Sequence, residues 1–296
     1  MSWPAAEVDI NAPLVGALLR SQFPHLSELD CCHVAEGFDN SLWRLGVDLA
    51  IRLPRREAAV ALMNNELRWL PEIARHVSLR TPLPLLAGVP GDGFPWPWSI
   101  TSWIDGVAGD EIDLDTNDSS ARALATFLRE IHVDAPPDAP RNPFRGVALA
   151  TRSDTFKERL TRLRDVVDDV ALRELWEDCV KAPAWTSPPR WLHGDFHPAN
   201  TLYRDGELVG VIDFGDMCAG DPATDLAGGL MSLPFGSLDD FFGAYRFVDS
   251  ATLQRTIGWA VLFGVFMVSL GLESRPTYLG VGELTLGNAT QLAKSL

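Results

Sequence analysis

His193-Gly194-Asp195-Phe196-His197-Pro198-Ala199-Asn200, followed by Ile212-Asp213-Phe214-Gly215-Asp216, is the stretch that decides the fold of this chain and the chemistry it can support. Each half alone is a hint; their order and separation carry the reading. Phosphoryl transfer asks little covalent chemistry of a protein. It needs an aligned hydroxyl, metal ions on the phosphate oxygens and a group to take the hydroxyl proton. Asp195, with Asn200 five residues on, has the spacing of a loop that supplies the proton acceptor and one metal ligand. The apolar run Leu208-Val209-Gly210-Val211-Ile212 reads as a short strand leading to Asp213, a second metal ligand. Asn200-Thr201-Leu202-Tyr203 reads as its partner strand, and Arg204-Asp205-Gly206-Glu207 as the hairpin turn between them. The hairpin is expected to bring Asn200 and Asp213 together, where they could hold one or two Mg²⁺ ions.

This stretch resembles the catalytic core of the aminoglycoside phosphotransferase family, which shares the protein-kinase fold. It is similar to the kinase signature His-Arg-Asp-Leu-x-x-x-Asn followed by Asp-Phe-Gly. The family has Gly where protein kinases have Arg, and often a His two residues after the Asp; Gly194 and His197 match both. The continuation Gly220-Asp221-Pro222-Ala223-Thr224-Asp225-Leu226 is also typical of the family. The related macrolide phosphotransferases share most of these motifs.

The resemblance implies an α+β, bilobal protein-kinase-like fold. A small antiparallel-sheet N-terminal lobe over residues 1–104 would bind nucleotide. A larger, mainly helical lobe over residues 105–296 would carry the catalytic loop and the substrate site. The implied reaction moves the γ-phosphate of ATP or GTP to a hydroxyl of a small molecule, with Mg²⁺. Asp195 would be catalytic, Asn200 and Asp213 metal ligands, and His193 and His197 supports of the loop. Asp221 reads as a helix cap and Asp225 as a loop-anchoring acceptor. An alternative reading makes His193, Asp195 and His197 metal ligands, but no matching fourth ligand is apparent. The leading acceptor is an antibiotic of the aminoglycoside type. A macrolide or a small metabolite is the alternative, and a nucleotide-binding protein without turnover is the rival.

In the N-terminal part, residues 11–20 have helical spacing, and Cys32–Ala35, Ser41–Leu45 and Asp48–Leu53 read as three strands. The turn Glu36-Gly37-Phe38-Asp39-Asn40 would cover the nucleotide phosphates, with Gly37 allowing close approach. Kinase-like folds usually place a Lys on the third strand; here the matching position is Arg52. Arg keeps the charge but offers a wider, planar fork. Glu66, on the following helix, is its natural partner, whereas Arg55 and Arg56 read as a solvated turn. Trp98–Ile104 reads as a strand running into a hinge, where the backbone near Ser102 and Ile104 would meet the purine edge.

The rest reads as largely helical. Helices are expected over Ser119–His132, Phe156–Val180 with a break near Asp168-Asp169, Asp225–Met231, Asp239–Phe247, Ala251–Leu272 and Gly282–Ala293. Aminoglycoside-modifying relatives usually present several carboxylates after the Asp-Phe-Gly segment. Here Leu230–Ser237 is uncharged, and Asp239, Asp240, Glu273 and the aromatic Trp259 are the candidates for the acceptor site.

The chain has 296 residues, 46% of them hydrophobic, enough for two cores. Its net charge of −15 argues against a nucleic-acid partner. Cys31, Cys32, Cys179 and Cys218 form neither a disulfide framework nor a zinc pattern. Met1–Glu7 lacks the basic and apolar features of a signal peptide. Ile257–Leu272 is shorter than a membrane span and reads as a buried helix. A cytoplasmic monomer or dimer is expected.

Overall fold

The computed structural model describes residues 5–112, 118–246 and 248–296. Phe247, the expected end of one helix, and the first four residues lie outside the described residues. The chain divides into two units. One runs to Asp105 and also takes in Val211–Gly215; the other comprises Gly106–Gly210 and Asp216–Leu296. The Asp213 segment therefore belongs to the first unit, where the sequence alone had assigned it to the second. The Val211 N–H donates to the Arg80 carbonyl at 3.0 Å, which ties the segment there.

The first unit opens with α1 (Ala12–Gln22), whose N-cap Asn11 accepts from the Leu14 N–H at 3.1 Å. Strands β1 (Cys31–Glu36), β2 (Asn40–Leu45) and β3 (Leu49–Pro54) follow, then α2 (Val60–Ile73), β4 (Pro84–Gly88) and β5 (Trp98–Ser102). They form one antiparallel sheet in the order β1-β2-β3-β5-β4. On β2 the pleat buries Ser41, Trp43 and Leu45. Trp43 and Leu45 join Val15, Leu18 and Leu19 of α1, with Ile51, Trp98 and Ile100, in one core. α2 has an apolar buried stripe of Met63, Trp69, Leu70 and Ile73, but Glu66 is buried among them. A carboxylate in that position needs a partner, and β3 supplies it.

The second unit contains β6 (Val107–Ala108), α3 (Asp118–Ile131), α4 (Ser153–Arg162), α5 (Asp169–Cys179), β7 (Arg190–Leu192), β8 (Thr201–Arg204), β9 (Glu207–Val211) up to Gly210, and β10 (Cys218–Gly220). Helices α6 (Ala223–Ser232), α7 (Leu238–Tyr245), α8 (Ser250–Glu273) and α9 (Thr277–Lys294) complete it. The β8–β9 hairpin turns through Asp205 (φ +53°) and Gly206 (φ +80°), the pair of left-handed residues that a type I′ turn requires. Asn200 is not part of β8. It closes a 3₁₀ turn, Pro198–Asn200, and donates its N–H to the His197 carbonyl at 2.9 Å. The helical break falls where Asp168 caps α5, accepting from the Ala171 N–H at 3.1 Å.

α6 is buried along its whole length and packs against α8 and α9. α8 has 24 residues, long and apolar enough to cross a membrane, but 72% of its most apolar window is buried. Its neighbours α4, α5, α6 and α9 account for that burial. Arg255, expected to bound the apolar run, lies inside the helix. It is buried and donates from Nε to Asp221 at 2.6 Å. Asp221 also accepts from the Ala223 N–H at 3.1 Å, so one carboxylate caps α6 and neutralises Arg255. Arg255→Met should cost about 3–5 kcal/mol, because it leaves Asp221 charged and unpaired in the core. A urea melt with an unchanged midpoint would show that the pair holds nothing together.

Candidate active site

The catalytic loop lies between β7 and the 3₁₀ turn that ends at Asn200. Asp225, the third residue of α6, grips it from beneath. Its carboxylate accepts from the His193 N–H at 2.6 Å and from the Gly194 N–H at 2.9 Å. His132, at the end of α3, approaches the same carboxylate with Nε2 at 3.2 Å and meets the Tyr245 hydroxyl with Nδ1 at 2.8 Å. Gly194 has φ +85°, and a Cβ there would stand 2.2 Å from the Asp216 carbonyl oxygen. Glycine is thus required where a protein kinase has Arg. His193 is fully buried, and its Nδ1 accepts the Asp195 N–H at 3.2 Å. That bond makes it a brace of the loop, with the ring proton on Nε2.

The Asp195 carboxylate is held at both oxygens. Arg145 donates to Oδ1 at 3.2 Å, while His197 Nε2 and Asn200 Nδ2 each lie 3.4 Å from Oδ2. Burial pushes the Asp195 carboxyl up. His197, Arg145 and His193 outweigh burial and hold the carboxyl far below the usual carboxylate range. Asp195 is therefore ionised at any working pH. Arg145 is raised in turn: burial works against its charge, but Asp195 and Asp216 outweigh it. Sequence reasoning missed Arg145, which stands two residues beyond the proline-rich link Ala135–Pro143 in a stretch without periodicity. The only signal was an Arg flanked by an aromatic residue and a glycine.

In the first unit, Arg52 reaches from β3 to Glu66 on α2 with both ends of its fork. Nη1 donates to Oε2 and Nη2 to Oε1, the latter at 3.0 Å. Nη2 also lies 3.5 Å from Asp213 Oδ1. Burial pushes Glu66 up to about 7 against the pull of Arg52. Arg52 itself is raised: burial opposes its charge, and Glu66 and Asp213 more than restore it. With the arginine charge held so firmly, the contact is an ion pair. Asp213 has φ +63°, a left-handed backbone uncommon for a residue other than glycine and typical of functional positions. Its side chain is 58% exposed.

The Gly37 N–H donates to the Asn40 carbonyl at 2.8 Å and closes the turn. Arg55 and Arg56 are not merely solvated. Arg55 donates to the Gly37 carbonyl at 2.9 Å and pairs with Glu36 at 2.6 Å; Arg56 pairs with Asp39 at 2.7 Å. They brace the turn. Ser102 cannot offer its N–H to a purine, because that group donates to the Leu83 carbonyl at 3.0 Å. Ile104, buried just beyond β5, remains the hinge candidate.

Mg²⁺ is commonly held by one or two carboxylates together with substrate phosphates. Each donor suits that role by its own chemistry. Asp213 is open to solvent, and Asn200 uses Nδ2 on the Asp195 carbonyl at 2.8 Å, which leaves Oδ1 as its acceptor. Among the described residues no group of three or more His, Cys, Asp or Glu side chains could hold a metal by itself, so His193, Asp195 and His197 do not form such a site. The expected acceptor residues are scattered. Trp259 is fully buried and belongs to the core, which corrects its assignment. Asp240 is held by Arg122 of α3 at 2.9 Å, and Asp239 is its exposed neighbour on α7. Glu273 ends α8, exposed, with the Ser269 hydroxyl donating to it at 3.5 Å.

These two sets of residues, on these two units, are those of a kinase-type phosphotransferase fold. The chain belongs to the phosphotransferase enzyme family, whose sequence profile matches residues 30–259. It is similar to the aminoglycoside 3'-phosphotransferases of Escherichia coli and Salmonella typhimurium, at 28% and 27% identity over 136 residues. Those matches cover 44% of this chain, and the chain spans about half the length of these relatives. Among solved structures it resembles the GDP complex of aminoglycoside 2'-phosphotransferase-IIIa, with a TM-score of 0.69 and 22% identity over 97% of this chain and 100% of that one. It also resembles the apoenzyme of the macrolide 2'-phosphotransferase from Brachybacterium faecium, with a TM-score of 0.60 and 20% identity over 93% and 98% of the two chains. The fold is the bilobal protein-kinase-like fold.

Gly194→Ala tests the loop geometry. The left-handed φ alone costs about 1–2 kcal/mol for an L-residue, and the clash with the Asp216 backbone adds to it. The variant should melt earlier than wild type; equal stability would contradict the placement of the loop.

Proposed function

We propose that this chain is a Mg²⁺-dependent O-phosphotransferase that moves the γ-phosphate of ATP or GTP to a hydroxyl of a small molecule. The observation that carries the reading is the ionised Asp195 carboxylate, fixed by Arg145 and His197 on a loop that Asp225 anchors. The acceptor oxygen attacks the γ-phosphorus, the bond to the β,γ-bridging oxygen breaks, and the nucleoside diphosphate leaves. A carboxylate this acidic is a weak base. Asp195 therefore orients the hydroxyl and receives its proton as the new P–O bond forms. Asn200 and Asp213 would hold Mg²⁺, which neutralises phosphate charge when bound. Arg52, braced by Glu66, would bind the α- and β-phosphates in the place of the usual lysine. Its two-pronged pair with Glu66 supports a working enzyme over a nucleotide-binding protein without turnover, because the charge and its brace are both kept. The four cysteines are free thiols, which supports a cytoplasmic location.

Asp195→Ala, assayed with ATP and with GTP across aminoglycosides, macrolides and hydroxylated metabolites, should lose at least about 100-fold in turnover while nucleotide affinity holds. Normal turnover in the variant would remove Asp195 from the reaction.

A further inference from the structure

Beside Asp195 the second unit presents a row of arginines seated on aromatic rings. Arg145, which grips Asp195, lies 5.2 Å from the centre of the Phe263 ring. Arg152 lies 5.0 Å from that of Phe144, and Arg159 4.2 Å from that of Phe266. Phe263 and Phe266 stand three residues apart on α8, on one face of that helix. Arg152 ends the 3₁₀ turn Leu149–Arg152 and is the N-cap of α4, and Arg159 follows within that helix, about two turns on. The row thus runs from the reacting end outward, with ring faces beneath it.

The two outer arginines of the row lack ion-pair partners. Among the described residues, the Arg152 and Arg159 side chains make no ion pair and no hydrogen bond, although the chain carries 40 acidic residues against 25 Lys and Arg. Both are only partly exposed. The Nε atoms of Arg145 and Arg152 are buried with no hydrogen-bond partner. Burial and then Arg145 push Arg152 below its usual range. Burial and then Arg162 do the same for Arg159, outweighing the opposite pull of Glu158, with Arg152 adding a smaller push. Like charges half-buried together are costly unless something negative joins them. A polycationic aminoglycoside would add to that repulsion.

We propose that the acceptor carries an anionic group, a carboxylate or a phosphate, which Arg152 and Arg159 receive while its hydroxyl lies against Asp195. This rests on the phosphotransferase reading above and names the substrate class for that site. The guanidinium fork suits either anion, and the rings beneath it suit a flat or apolar body.

The test uses the full chain and the double variant Arg152→Met with Arg159→Met, which keeps side-chain bulk and removes charge. The first arm measures binding of pyranine, a flat trisulfonated hydroxyarene, by fluorescence anisotropy with Mg²⁺ and ADP already bound. Wild type should bind it, and the variant at least about tenfold more weakly, the loss expected for hydrogen bonds to charged groups. ADP affinity should be the same in both proteins. The second arm compares turnover of sugar acids and sugar phosphates with that of the parent sugars and of aminoglycosides; which anion is preferred separates carboxylate from phosphate. The anionic acceptors should be favoured, with KM raised about tenfold in the variant and kcat little changed. Equal pyranine binding by the two proteins, no binding by wild type, or faster turnover of aminoglycosides would overturn the proposal. Failure of wild type to bind Mg²⁺-nucleotide would instead overturn the phosphotransferase reading, and the pyranine arm, repeated without ADP, would still decide the arginine row.

Discussion

One buried carboxylate organises the catalytic half of this molecule. Asp225 accepts the N–H groups of His193 and Gly194 and meets His132 as well. Two backbone donors that would otherwise be orphaned are satisfied by a single side chain, and charge-assisted bonds of this kind are stronger than neutral ones. The consequence is positional. The bonds fix the backbone that carries Asp195, and the sequence Asp195–Asn200 inherits its orientation from them. Gly194 is part of the same constraint, since only a residue without Cβ can pass the Asp216 backbone so closely.

Arginine recurs wherever the site manages negative charge. Arg52 replaces the usual lysine in the first unit and makes a forked pair with Glu66. The fork needs a partner that is planar and bidentate, which a carboxylate and a phosphate both are. Arg145 does similar work for Asp195 in the second unit. It holds the carboxylate ionised and in place. The row that continues through Arg152 and Arg159 extends this chemistry away from the reacting atoms.

The sequence revealed what is local. The motif at His193–Asn200, the Asp-Gly hairpin turn, the helix break near Asp168-Asp169 and the Arg52–Glu66 pair all follow from spacing, turn chemistry or a known family pattern. What it hid depends on contacts between distant segments. Arg145 sits in a stretch with no periodicity, so nothing in the chain announces that it meets Asp195. Trp259 lies on an apolar stripe, and periodicity alone cannot separate a core face from a face that lines a site. Arg255 borders an apolar run in the sequence, and nothing local shows that Asp221 neutralises it inside the core. The Ser102 N–H goes to the Leu83 carbonyl, just before β4, and no local pattern fixes that.

The most direct test of this account is Asp225→Asn, with turnover and nucleotide affinity measured on the same sample. The amide is isosteric, but its NH₂ group would face one of the two loop N–H donors, so one bond becomes a donor–donor contact. The account predicts a folded protein with nucleotide affinity kept and kcat reduced by at least about 100-fold, the scale of a misplaced catalytic group. Wild-type kcat in that variant would show that the position of Asp195 does not depend on Asp225, and the central constraint would be wrong.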